Sequence, residues 1–247
     1  MTPAELEAEL DTLAQRYRAA GGVGLQVLNL IGGQADGLLN RLPAGVRDRL
    51  EDSTVRALSI AMKAAHGSRG VVADQPAWLN TAVATAMGAA GGFGGLPAAL
   101  AELPVTTAVL LRTIQDVAVE HGFDPQADNV QFDCIRVLSA AGPLSGDDGA
   151  DLAFYATRTS LQGVAVLALI KRVAPRLATV LGQKLAAQTV PVLGALAGAA
   201  TNYAYTSYYQ QIAHVHFRLR AISILADQSE EDLRSALTDR ITRPDLR

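Results

Sequence analysis

From Leu185 to Phe217 the chain reads LAAQTVPVLGALAGAATNYAYTSYYQQIAHVHF, without a single Asp, Glu, Lys or Arg. A helix that is apolar all round must be covered, by a core, a partner or lipid. The first half of the run is built from small residues four apart, Gly194 with Gly198 and Ala195 with Ala199. On a helix that spacing stacks them on one face and lets two backbones approach, a device common where helices associate in or near lipid. The second half carries Tyr203, Tyr205, Tyr208 and Tyr209. Each ring joins an apolar body to a hydroxyl that needs a partner or an interface. The run therefore predicts a long, closely packed helix in an all-α fold.

The remaining composition agrees. Charged residues are 18% and aromatics 5% of the chain, against roughly a quarter charged in ordinary globular proteins. An alanine-rich interior of this kind suits packed helices better than a sandwich or barrel. The net charge of -3 and the absence of an Arg/Lys stripe argue against nucleic acid as a partner. Cys134 is the only cysteine, so neither an intrachain disulfide nor a thiolate metal cage is expected. The opening MTPAELEAEL is acidic and helical in pattern, without the basic and apolar regions of a secretory signal. The expected address is the cytoplasm, extending to the inner face of the membrane.

Helical periodicity runs through the whole chain. Thr2, Pro3 and Glu5 form a capping-box start for a helix over 3–20, with Leu6, Leu10, Leu13 and Tyr17 on one face. Gly21, Gly22 and Gly24 are expected to end it, and a shorter helix follows over 25–41. Pro43 opens the next, carrying Val46, Leu50, Ala57, Leu58 and Ala61. Another starts at Pro76, and GAAGGFGG at 88–95 breaks or closely packs the chain. The stretch Leu103–His121 is helical and stops at Gly122. Asp124-Pro125 then caps a helix through Val130, Cys134 and Leu138. Two long helices, about 151–188 with Pro175 inside and about 192–226, pack through their Gly/Ala faces. Ser229 and Asp232 cap a last amphipathic helix over 229–241. The expectation is one all-α domain, 1–247, of about eight or nine helices.

No residue set spells out a reaction. His-Glu-x-x-His, Gly-x-Ser-x-Gly and the phosphate-binding Gly-x-x-x-x-Gly-Lys-Ser/Thr are all absent. His214 and His216 point about 200° apart on a helix and cannot share a metal. Asp147, Asp148 and Asp151 lack the spacing of a calcium loop and read as a solvated loop and helix cap. Arg112, Asp116 and Glu120 lie four apart on one helix face. They read as a charged surface face, or as polar contacts for a ligand or neighbouring helix. Gln75–Ala101 and Leu185–Phe217 are long enough to span a bilayer. Glycine, proline and amide residues lower their hydropathy, so buried helices are preferred to spans.

Two blocks carry a family resemblance. LPVTTAVLLRTIQDVAVEHGFDP supplies Leu103, Pro104, Arg112, Ile114, Ala118, Gly122 and Phe123. TVPVLGALAGAATNYAYTSYYQQIAHVHFRLRAI supplies Pro191, Gly194, Ala195, Gly198, Ala199 and Asn202. Together, over about 40–226, the chain resembles the EcsC protein family. The family's name comes from an operon that also encodes an ABC transporter, and this implies a link to transport or membrane homeostasis. The motif residues that match look structural, and the resemblance brings no catalytic residues with it.

The functional expectation is a non-enzymatic helical protein, peripheral to the membrane. It would bind a lipid, an apolar small molecule, or a membrane partner such as an ABC transporter. Arg112, Asp116, Asn202 and Tyr203 are the candidate ligand-binding residues, as few polar groups on apolar walls make a ligand pocket. No metal or cofactor is expected. One rival reading is a hydrolase or protease on a membrane-derived substrate, drawing on Ser68, Ser145, Ser160, Ser207 or Cys134 with His66, His121, His214 or His216. Another is a structural adaptor without a ligand. Nothing in the sequence fixes the oligomeric state.

Overall fold

The computed structural model describes residues 1–30, 35–68, 82, 85–86, 103–140, 166–188 and 194–242. Every regular element among them is helical, as the periodicity predicts. We number the helices α1 (Pro3–Leu30), α2 (Ala44–Arg47), α3 (Leu50–Ser68), α4 (103–120), α5 (Asp128–Leu138), α6 (Val166–Gln188), α7 (Gly194–Ala226) and α8 (Glu230–Thr242). A 3-10 helix, Ala35–Arg41, precedes α2.

The start of α1 is the capping box read from the sequence. Glu5 N–H donates to Thr2 Oγ1 at 3.3 Å, and Thr2 N–H donates to Glu5 Oε2 at 2.7 Å. The end differs from expectation, because α1 continues through Gly21 and Gly22 to Leu30 instead of stopping near residue 20. A glycine in a helix costs only about 1 kcal/mol relative to alanine. It stops a helix when its backbone turns left-handed, and neither Gly21 nor Gly22 does so. Gly122 does, at φ +82°. There Phe123 N–H donates to Ala118 O at 2.9 Å and closes α4 as expected.

Leu6, Leu10, Leu13 and Tyr17 form the buried stripe of α1. Each such side chain, removed from water, stabilises the fold by about 1.5–3 kcal/mol. The stripe packs on α7 and α8, and α1 is the most extensive neighbour of α7 among the described residues. Thus α1 is part of the core. Helices α6 and α7 also pack together, where Tyr205 O–H donates to the Val180 carbonyl at 3.0 Å. Tyr209 O–H reaches the Ala140 carbonyl beyond the end of α5, at 3.2 Å. These bonds satisfy two hydroxyls that are wholly shielded from solvent, and burial pushes the pKa of both phenols up.

The helix expected to open at Pro43 is split, with a turn at Asp48 and Arg49 separating α2 from α3. Gly182 on α6 is closely surrounded by side chains. A Cβ there would lie 2.6 Å from Leu39 and 2.8 Å from Leu50. Gly198 is buried on α7, whereas the glycines of 88–95 lie outside the described residues. So do residues 75–81, Asp147, Asp148, Asp151 and Pro191. No helix among the described residues is long and apolar enough to cross a membrane, α7 included.

Candidate functional site

Residues of α2, α3 and the start of α4 line a groove of about 470 Å³. Val46, Leu50, Ala57 and Ile60 form its apolar wall from the α2–α3 side, and Leu103 and Pro104 face them. Arg49, Ser53 and Arg56 line its other edge. The sequence dictates this arrangement, since residues 53, 56 and 60 recur at helical spacing on one side of α3 and Arg49 lies in the turn just before it. Ile60 is 54% exposed, and Val105, next to Pro104 on α4, is 51% exposed. The groove mouth therefore presents apolar surface to solvent beside two guanidinium groups. Neither Arg49 nor Arg56 forms an ion pair among the described residues.

The four residues expected to bind a ligand are placed elsewhere. Arg112 and Asp116 pair with each other along α4, Nε to Oδ1 at 2.9 Å, with side chains only 10% and 4% exposed. The charged surface face read from the sequence is thus turned inward at these two positions, while Glu120 remains exposed. Asn202 is fully buried on α7, and Tyr203 beside it is 47% exposed. The structure brings the first two together and sets Tyr203 on the outer side.

The histidines of α7 part as helix geometry requires. His214 meets His121 at the end of α4, Nδ1 to Nε2 at 3.2 Å, with the rings nearly perpendicular. A Glu120 carboxylate oxygen lies 3.8 Å from the far nitrogen of His214. Burial, then the nearby Arg218 and Arg16 charges, pulls the His121 pKa down. Burial, Arg16 and His121 pull that of His214 to about 4. Both rings are therefore neutral at pH 7.

His216 instead faces Asp133 of α5 at 3.4 Å. Arg220 pairs with the same carboxylate and lies over the Phe123 ring, 4.7 Å from its centroid. Burial works against the charged Asp133. His216, Arg220 and Arg136 outweigh it and hold the pKa below the ordinary carboxylate range. Among the described residues no group of His, Cys, Asp and Glu could hold a metal ion. Ser207 lies seven residues before His214 on α7, about 10 Å along the axis, beyond hydrogen-bond reach. Cys134 is fully buried. Ser145 and Ser160 lie outside the described residues.

The EcsC family model matches residues 68–222. The chain belongs to the EcsC protein family. The match lies within the stretch 40–226 read from the sequence and contains Arg112, Asp116, the histidine pair and most of α7. The chain is also similar to the uncharacterized protein YdbA of Bacillus subtilis (strain 168), at 25% identity over 197 residues. That alignment covers 78% of this chain and 70% of the relative. No solved structure matches. The groove straddles the EcsC boundary, because Leu103 and Pro104 fall inside the matched region and Arg49–Ile60 precede it.

Sequence reasoning missed both the groove and the His121–His214 pair. Arg49, Ser53 and Arg56 carried a readable signal, an i, i+4, i+7 polar edge beside a correctly read apolar stripe. The histidine pair carried none, as its members lie 93 residues apart.

Proposed function

We propose that the protein binds an amphipathic ligand in the α3–α4 groove and works at a membrane surface, as a binding protein without chemistry of its own. The observation that carries this reading is the groove itself, an apolar trough with arginines on one edge and the exposed Ile60 on its wall. Its volume of about 470 Å³ lies in the range of about 300–1,000 Å³ usual for small-molecule sites. Exposed apolar residues beside cationic ones are the composition of a surface that docks on headgroups and dips into the acyl boundary. Membership of the EcsC family is compatible with a partnership with a membrane transporter, which belongs to the same reading.

The test is binding of the purified chain to phospholipid vesicles by flotation, together with native mass spectrometry of co-purified lipid. Ile60→Asp places a charge on an exposed groove wall without touching the core. It should reduce vesicle binding at least tenfold and leave thermal unfolding unchanged. If Ile60→Asp floats as well as the parent, the groove is not the contact surface.

A further inference from the structure

We infer that Arg49, Ser53 and Arg56 form a headgroup site for an anionic phospholipid of the membrane surface, an inference that rests on the groove being the docking surface proposed above.

Three observations carry it. First, both arginines line an otherwise apolar groove and form no ion pair among the described residues. An arginine fork matches phosphate oxygens in a two-point contact that a lysine cannot reproduce. Second, no carboxylate is among the described residues that line the groove, and Asp48, Glu51 and Asp52 are exposed to solvent. At about 100° per residue, Ser53, Ala57 and Ile60 lie within about 60° of one another on α3 and Arg56 about 60° from Ser53. Asp52 lies about 40° farther out than Arg56, and Glu51 is on the opposite side. Arg56 thus stands between the acidic flank and the trough. Third, Ser53 sits between them at the groove edge and offers a hydroxyl that can donate to a phosphate oxygen while accepting from a guanidinium. A phosphate held by this edge leaves its acyl chains beside Ile60, Leu103 and Pro104. A bilayer supplies that combination of anionic head and continuing apolar phase.

The test uses the full chain with vesicles of phosphatidylcholine alone and of phosphatidylcholine with a third phosphatidylglycerol, at low and at about 0.5 M salt. Binding should favour the anionic vesicles and weaken at high salt. Arg49→Gln/Arg56→Gln should lose about 10- to 30-fold in affinity for them, at roughly 1 kcal/mol per basic residue near an anionic surface. Arg49→Lys/Arg56→Lys should recover only part, because the charge returns without the fork. The control is Arg16→Gln/Lys171→Gln, which changes net charge equally at exposed positions away from the groove. If the control weakens binding as much as the groove variant, the effect is one of net charge and the headgroup site is overturned. If the groove variant binds as the parent while Ile60→Asp does not, the headgroup site fails and the docking surface stands. If no vesicle is bound, both fail. Binding of monomeric lysophosphatidylglycerol without binding of any vesicle would overturn the bilayer as the source.

Discussion

The ring of His121 at the end of α4 touches the ring of His214 in the middle of α7, nitrogen to nitrogen at 3.2 Å. The contact requires at least one neutral ring, since two imidazolium rings would present only donors and repel. Burial and the charges of Arg16 and Arg218 favour the neutral forms. The unfolded chain has neither influence. Between the unfolded pKa of about 6.5 and the His214 value of about 4, the unfolded state binds more protons than the folded one. Stability therefore rises with pH through that window, is fully present above about pH 6.5, and is lost as pH falls toward 4. With partial exposure discounted, the His214 share is on the order of 1–2 kcal/mol. Thermal unfolding from pH 7 to 4.5 should show a shallower loss for His214→Gln than for the parent. Equal slopes would mean that the pair does not govern acid stability.

Arg112 and Asp116 form a nearly buried pair within one helix. Removing one member of such a buried pair typically costs about 3–5 kcal/mol, whereas replacing both with apolar residues is often close to neutral. Asp116→Ala should unfold at a much lower temperature than the parent, and Arg112→Met/Asp116→Leu should recover most of the difference. If the single variant keeps its melting temperature but loses bound lipid, the pair belongs to a ligand site, as the sequence alone led one to expect.

Among the described residues two left-handed ones end helices, Gly122 after α4 and Asp227 after α7. A residue with a Cβ is strained by roughly 1 kcal/mol or more in that conformation. Gly122→Ala should therefore destabilise, although nothing lies within 4 Å of the new methyl group. Asp227→Gly should stabilise by several tenths to about 1 kcal/mol. Chemical denaturation of the two variants should move in opposite directions from the parent.

At Gly182 the neighbours are the mobile tips of Leu39 and Leu50. Gly182→Ala trades about 1 kcal/mol of helix propensity against a small shift of two leucine ends, and should be close to neutral. Gly182→Phe has no comparable room. It should cost about 1–3 kcal/mol or more, read as a fall in denaturation midpoint at constant slope. The analogous Gly198→Leu on α7 should also destabilise if the buried Gly198 meets another helix backbone. Tolerance of leucine there would leave Gly182 as the tighter junction of the two.

Local chemistry made much of the fold legible. The capping pair of Thr2 and Glu5, the stop at Gly122, and the stripe of Leu6, Leu10, Leu13 and Tyr17 are each written within a few residues of chain. Where the reading failed, a long-range contact or a backbone angle decided the outcome. Gly21 and Gly22 look like stops, yet they keep helical angles in a helix that α7 and α8 hold in place. Arg112 and Asp116 look like surface residues until each is seen to neutralise the other inside. For the candidate site, Leu50 and Ala57 were read as apolar face residues. That their helix leaves a trough against Leu103 and Pro104 depends on tertiary packing that periodicity does not encode.

Helix α8 clasps α1. Arg240 donates to Asp11 at 3.1 Å and to Glu7 at 2.6 Å, across as many as 233 residues of chain. At a synthesis rate of about 5–20 residues per second, α1 leaves the ribosome roughly 10–40 s before its cover exists. Until α7 and α8 emerge, the nascent chain thus carries this amphipathic helix without the described helices that cover it. Ribosome-bound chains halted at about residue 190 should be cut by protease near Leu13 and Tyr17, and released full-length chains should resist. Seating of α1 in this sense waits on α7 and α8.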